Sequence, residues 1–393
     1  MAFFTFVSLL ALSCVSSLVN SLSLPPRAPC IVLSQGWEAL DDSVSINAAI
    51  KECGNGGTII LPGDHNYSIR STINFSPCRD CDVQLEGRLL IAQEGWDSKT
   101  EYISIKGVKG ANFRSLSRKG VIDGNTRAYY QEPRQNTGSD HSKQPVLVSI
   151  TGSSNIRIDG ITAKNPRAQF YRVDGNSSNI RFSNLQLSVS GQWWQDIWTK
   201  TESIAFQFRN SSYITLDTIN VEMRSNLDRY FVGVCIGIDY STSDVDIRNI
   251  NCNNTSDGVH IQFGSIGGYV YPPAADQWAR NIFVSNLTTY SGSSTGFKNL
   301  LGFDYTNVQN VTFDGVKTTG YVPLVYDPCY VINKTVSNAC SLSTYLKNYQ
   351  ASLTDIWFKN YYGKVGQPML PCASSPVKTT CEFHFGGDWI EIP

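Results

Sequence analysis

The chain has almost no net charge and few histidines, and each shortage excludes something. Only 17% of its 393 residues are charged, and 32 Lys and Arg nearly balance 33 Asp and Glu, for a net charge of −1. So balanced a surface sets up no field to gather nucleic acid or an anionic membrane, and neither is expected as a partner. The four histidines, His65, His141, His260 and His384, are scattered, and no Cys/His group has metal-ligand spacing. No metal is expected, and with no phosphate-cradling glycine loop the expected cofactor list is empty. Past the N-terminus no apolar run is long enough to span a bilayer. Helical periodicity is sparse as well; its clearest instance is "DDSVSINAAIKECG" (41–54), with Asp41 or Asp42 as N-cap and Gly54 beyond the end.

Secretion signals are present instead. "MAFFTFVSLLALSCVSSLVNS" (1–21) reads as a signal peptide with a weak n-region, leaving 22–393 as the mature chain. Removing Cys14 with it leaves ten of the eleven cysteines, an even number suited to disulfides in an oxidising compartment. Asn-X-Ser/Thr sequons at Asn66, Asn74, Asn176, Asn210, Asn253, Asn254, Asn286, Asn310 and Asn333 add the expectation of N-linked glycans.

One short phrase recurs from residue 83 onward: "DVQLEGRL", "YISIKGV", "NIRIDGI", "NIRFSNL", "YITLDTI", "DVDIRNI", "NIFVSNL", "NVTFDGV", "DIWFKNY". Each opens on a polar residue or Tyr, alternates apolar positions, breaks for two residues and returns to an apolar one. Alternation with period two marks a half-buried strand. Returns at Ile156, Ile180, Ile214, Val245, Ile282, Val311 and Ile356 come every few dozen residues. That is the signature of coils that bury their apolar face only by stacking. The expected fold is all-β, a single right-handed parallel β-helix with an N-terminal capping helix and long inserts where the intervals stretch. A β-sandwich, the rival, would show shorter and more even spacing.

The order of features resembles glycoside hydrolase family 28, the polygalacturonases and their exo-acting and rhamnogalacturonan-cleaving relatives. "CGNGGTIILPGDHNYSI" (53–69) is similar to that family's entry segment, "GVIDGNTRAYY" (120–130) to its "IDG-G-WY" segment, and "NPRAQFYRV" (165–173) to its "NSP-F". The resemblance implies four site signatures and a later tyrosine. Asn-Thr-Asp falls on "KTES" (200–203), making its acid Glu202. Asp-Asp-Cys falls on Gly233-Val234-Cys235, so the run "FVGVCIGI" (231–238) stands where relatives carry their acid pair. Gly-His-Gly falls on "SDG" (256–258), with Asp257 in the histidine's place. Arg-Ile-Lys falls on "GFK" (296–298), which keeps Lys298, and the tyrosine is Tyr330. The resemblance also implies a Cys235–Cys252 disulfide bracketing the site. The other expected pairs are Cys372–Cys381, Cys329–Cys340, Cys30–Cys53 and Cys78–Cys81.

Inverting hydrolysis needs one carboxylic acid and one carboxylate roughly 6.5–9.5 Å apart, and Gly233 and Val234 supply neither. Meanwhile Trp193, Trp194 and Trp198 crowd the insert before "KTES". Indoles beside a strand without acids make an apolar cleft suited to a small organic ligand. The first expectation is therefore a non-hydrolytic enzyme binding a hydrophobic small molecule and promoting cyclisation or cycloaddition by positioning. That reading is similar to the fungal hetero-Diels–Alderases of tropolonic sesquiterpenoid pathways. In it Lys298 and Tyr330 polarise the substrate, while the three tryptophans, with Arg229 and Tyr230, contact it. The alternative is a diverged pectin or rhamnogalacturonan hydrolase with relocated acids (Glu202, Asp228, Asp257), or a carbohydrate-binding pseudoenzyme, with a pectic oligosaccharide as ligand. Either protein would be secreted or lie in the secretory lumen.

Overall fold

The computed structural model describes residues 28–94, 96, 100–126, 145–167, 169–192, 204–225, 233–255, 257–262, 276–290, 294–298, 305–322, 350–365 and 378–390. These form two sheets, one of 16 strands and one of 8, in which strands pair in parallel with those of the coils before and after. This is the right-handed parallel β-helix expected from the sequence, with the handedness of nearly all parallel crossovers. The seven recurring apolar positions, Ile156 to Ile356, align in one row of the larger sheet. One phrase departs from that stack: "YISIKGV" supplies Glu101–Lys106 of the smaller sheet. Its alternation is the same because both sheets bury one face, so the pattern alone does not tell them apart.

The polar start of each phrase has a structural cause. Asn155, Asn179, Tyr213, Asp244, Asn281, Asn310 and Asp355 all lie at φ between 54° and 57°, a left-handed bend within the strand that opens each phrase. Asn and Asp tolerate that region far better than branched residues, and Tyr213 is the outlier. The two-residue break is a second left-handed bend, at Asn184, Thr218, Asn249, Asn286, Gly315 and Asn360. There the amides bond from coil to coil: Asn249 Nδ2 donates to Asp217 Oδ1 at 2.9 Å, and Asn286 Nδ2 to Asn249 Oδ1 at 2.7 Å. Asn249→Ala is expected to lose about 2–3 kcal/mol, from two exposed bonds and a left-handed Ala. Asn249→Gly, free of the second penalty, should melt between that variant and the native protein in thermal denaturation.

Between the sheets lies an aromatic and aliphatic core. Phe182, fully buried, meets Tyr171 at 5.2 Å, Phe206 at 5.0 Å and Phe208 at 6.3 Å between ring centroids. The helix Ser43–Cys53 covers the first coils with Ile46, Ile50 and Cys53 buried. Asp42 holds the N-cap position without a side-chain cap bond, and Asp41 Oδ1 takes the Ser43 N–H at 3.0 Å instead. Asp42 is used elsewhere, accepting from Gln35 N and Ser68 N, both at 2.8 Å, and so bolting the helix to the coil. Gly54 ends the helix as expected, donating to Ile50 O at 2.8 Å; a Cβ there would sit 2.3 Å from that oxygen. Disulfides Cys30–Cys53, Cys78–Cys81 and Cys235–Cys252 form as expected. The Cys329–Cys340 pair lies outside the described residues, as does Cys372 of the remaining pair.

Candidate active site

The expected site falls on the smaller sheet, where Gln169–Asp174, Ile204–Phe208, Val234–Ile238, Asp257–Gln262 and Ser294–Lys298 lie side by side. Tyr171, Phe206 and Phe208 pack on Phe182, so the first two of these strands are held from beneath by ring contacts. One row across them reads Gln169, Ile204, Val234, Asp257, Ser294. Asp257 therefore stands one strand from Val234, where the resemblance puts one of the missing acids. It is 4% exposed, and its N–H donates to Gly233 O at 3.4 Å. Gly233 itself sits at φ 89°, a left-handed conformation that favours glycine. An aspartate placed there would be strained on the present backbone as well as lacking its partner groups.

Three residues further along these strands lies a second row: Ser149, Arg172, Gln207, Gly237, His260 and, past a register shift, Gly296. Ser149, Gln207 and His260 of this row are buried, and Arg172 is half-buried. Gln207 Nε2 donates to Asp239 Oδ2 at 2.9 Å, directly after the strand Val234–Ile238. Burial pushes the Asp239 carboxyl up to about 7, against the lowering pull of the Gln207 bond and of Arg209. Arg209 Nε pairs with Asp174 Oδ2 at 2.5 Å, so an ion pair and a buried acid share this end of the sheet. The Tyr240 hydroxyl is raised too, by burial first.

Of the residues expected from sequence, Asp257 and the Lys298 backbone are described and occupy adjacent strands. Asp257 pairs with Ser294 and Lys298 with Gln262, so the two lie about 13 Å apart along the strands. Glu202, Asp228, Arg229, Tyr230, Trp193, Trp194, Trp198 and Tyr330 lie outside the described residues. Asp239, Gln207, Arg209 and Asp174 were not anticipated. An acid closing the apolar run of residues 231–238 was the available sign for Asp239. Among the described residues no group of three His, Cys, Asp or Glu could hold a metal ion, and no helix is long and apolar enough to cross a membrane.

The same coil order is written into the chain as a family pattern, and residues 58–368 match the model for Glycosyl hydrolases family 28. The chain belongs to that family. Among family 28 relatives, a probable endo-xylogalacturonan hydrolase A of Aspergillus flavus is 30% identical over 383 residues, covering 94% of this chain and 87% of the relative. Endo-xylogalacturonan hydrolase A of Aspergillus tubingensis is 33% identical over 299 residues, covering 74% of this chain and 68% of the relative. The crystal structure of the endo-xylogalacturonan hydrolase from Aspergillus tubingensis superposes with a TM-score of 0.72 at 26% identity, covering 93% of this chain and 92% of that one. A Thermotoga maritima exopolygalacturonase shares the fold, with a TM-score of 0.56 at 13% identity over 93% of this chain and 92% of that one.

Proposed function

We propose that this family 28 protein is a secreted glycoside hydrolase of pectic galacturonan chains, working through relocated acids. The observation that carries this reading is kinship along nearly the whole chain, 94% of it, with a relative named as a probable endo-xylogalacturonan hydrolase. Those relatives favour the hydrolase alternative over the cyclisation expected first, which rested on the missing acid pair. Three disulfides among the described residues support passage through an oxidising compartment.

In this reading Asp257, on the rung beside Val234, returns a carboxylate to the neighbourhood that Gly233 and Val234 leave without one. Glu202 or Asp228 supplies the second carboxyl, so that one group protonates the leaving oxygen while the other activates water. Lys298 holds a galacturonate carboxylate as a point charge. Asp239, bonded by Gln207 of the second row, is a buried, proton-retaining support rather than a group in contact with sugar.

The test is reducing-end release from xylogalacturonan and from a short oligogalacturonide. The native protein should release sugar, Asp257→Asn should lower kcat at least a hundredfold, and Lys298→Met should act mainly on KM. No release by the native protein on any galacturonan, alongside turnover of a small hydrophobic substrate, would restore the cyclase reading. Aspartates placed at Gly233 and Val234 are expected to add little, given the backbone at 233.

A further inference from the structure

The larger sheet carries a second surface suited to sugar, on the strands Asp276–Tyr290, Tyr305–Val322 and Gln350–Val365. Their outward residues run Trp278, Arg280 and Phe283 on the first, Asn307, Gln309 and Thr312 on the second, and Ser352, Thr354 and Trp357 on the third. The middle strand is a floor of short amides and hydroxyls, and aromatic rings stand on both sides of it. Phe283 and Trp357 flank Thr312, two strand spacings or about 10 Å apart. That gap admits one pyranose ring between the two aromatic side chains.

Each wall is braced and carries a cation. The Arg280 guanidinium lies 4.8 Å from the Trp278 ring centroid, and Lys359 Nζ lies 4.5 Å from that of Trp357. Trp357 is fixed further by its Nε1, which donates to Asp355 Oδ1 at 2.7 Å, and by stacking on His384 at 4.4 Å. Phe283 stays 38% exposed. The nearby acids are already engaged: Asp355 by that indole, Asp314 by Asn360 Nδ2 at 2.6 Å, and Glu382 by His384 at 3.2 Å.

We propose that this trough is a second binding site for an acidic polysaccharide, a galacturonate-bearing chain lying along the strand Tyr305–Val322. Ring faces take the C–H faces of the pyranoses, the amides and hydroxyls of the floor take their hydroxyl groups, and Arg280 and Lys359 take carboxylates. A protein surface would call for a dry aliphatic centre, which this floor lacks. The site lies on a different sheet from Asp257, so it would tether polymer rather than perform chemistry. It deepens the reading of the protein as a pectic hydrolase and rests on it.

Affinity electrophoresis through gels containing polygalacturonate, xylogalacturonan or a neutral glucan tests this. The protein is first treated with an endoglycosidase, since a sugar on Asn310 would occupy the same floor. Trp357→Ala and Phe283→Ala should each weaken retention by the acidic polymers at least fivefold, with release from a short oligogalacturonide unchanged. The neutral glucan should retain no variant. Equal retention of native protein and both variants, or equal retention by the neutral glucan, overturns the inference while leaving hydrolysis intact. Absence of both retention and hydrolysis in the native protein removes this inference together with the function it rests on. Retention gained only by endoglycosidase treatment would make the protein's own glycan the occupant and also overturn it.

Discussion

Replacing Asp239 with asparagine should flatten the fall in stability that the native protein shows as pH rises from about 4 to 7. An aspartate in the unfolded chain ionises near 3.8, whereas burial keeps the folded Asp239 protonated up to about 7. Between those values the unfolded state has released a proton that the folded state still holds. Stability is therefore fully present below the lower value and drains away as pH climbs to the upper one, at about 1.4 kcal/mol per pH unit, or about 4 kcal/mol in all. The asparagine side chain carries no charge to bury, and its amide oxygen can still accept from Gln207. Urea denaturation of both proteins at several pH values between 4 and 7.5 measures the two slopes. Parallel slopes would show that the carboxyl reaches water or a cation and is ionised in the fold.

Phe182→Ala is expected to cost about 3–5 kcal/mol, near the upper end for a single core truncation. Its ring touches three others, Tyr171, Phe206 and Phe208, which come from the two strands that precede Val234–Ile238 in the smaller sheet, Gln169–Asp174 and Ile204–Phe208. Removing it opens a cavity under the candidate site, and the rings above cannot close that cavity without leaving their rotamers. Phe182→Leu, which keeps most of the volume, should lose well under half as much. Denaturant midpoints of the three proteins decide the matter, and a loss under about 1 kcal/mol for the alanine variant would mean that the core closes over the gap.

Much of the fold could be read from residue order, because its two demands leave marks in every coil. The inward row needs an apolar side chain at each return, hence Ile156, Ile180, Ile214 and their successors. The bends need a residue that tolerates positive φ, hence the asparagines and aspartates that open the phrases. The site was less legible, for physical reasons. Asp257 could be placed because it stays on a strand whose register is fixed by pairing with Val234. Asp239 and Gln207 meet only when two coils stack, since 32 residues separate them in the chain. His260 looked like one of four scattered histidines until the ladder set it between Gly237 and Gly296. Phe283 and Trp357 likewise belong to different phrases, and only the ladder makes them the two sides of one trough.

The stacking of coils also separates chain length from molecular height. From Ile156 to Ile180 the chain uses 24 residues, and from Val311 to Ile356 it uses 45, yet each step is a single rung of the same ladder. Hydrogen bonding sets the rise per coil at about 4.8 Å whatever the contour between rungs. Added residues therefore cannot lengthen the cylinder and can only project sideways from a corner. Such a scaffold can remodel the walls of its clefts by insertion while the spacing of groups across the sheet stays quantised. Divergence in a protein of this shape is then a matter of rim architecture and of which residue occupies a given rung.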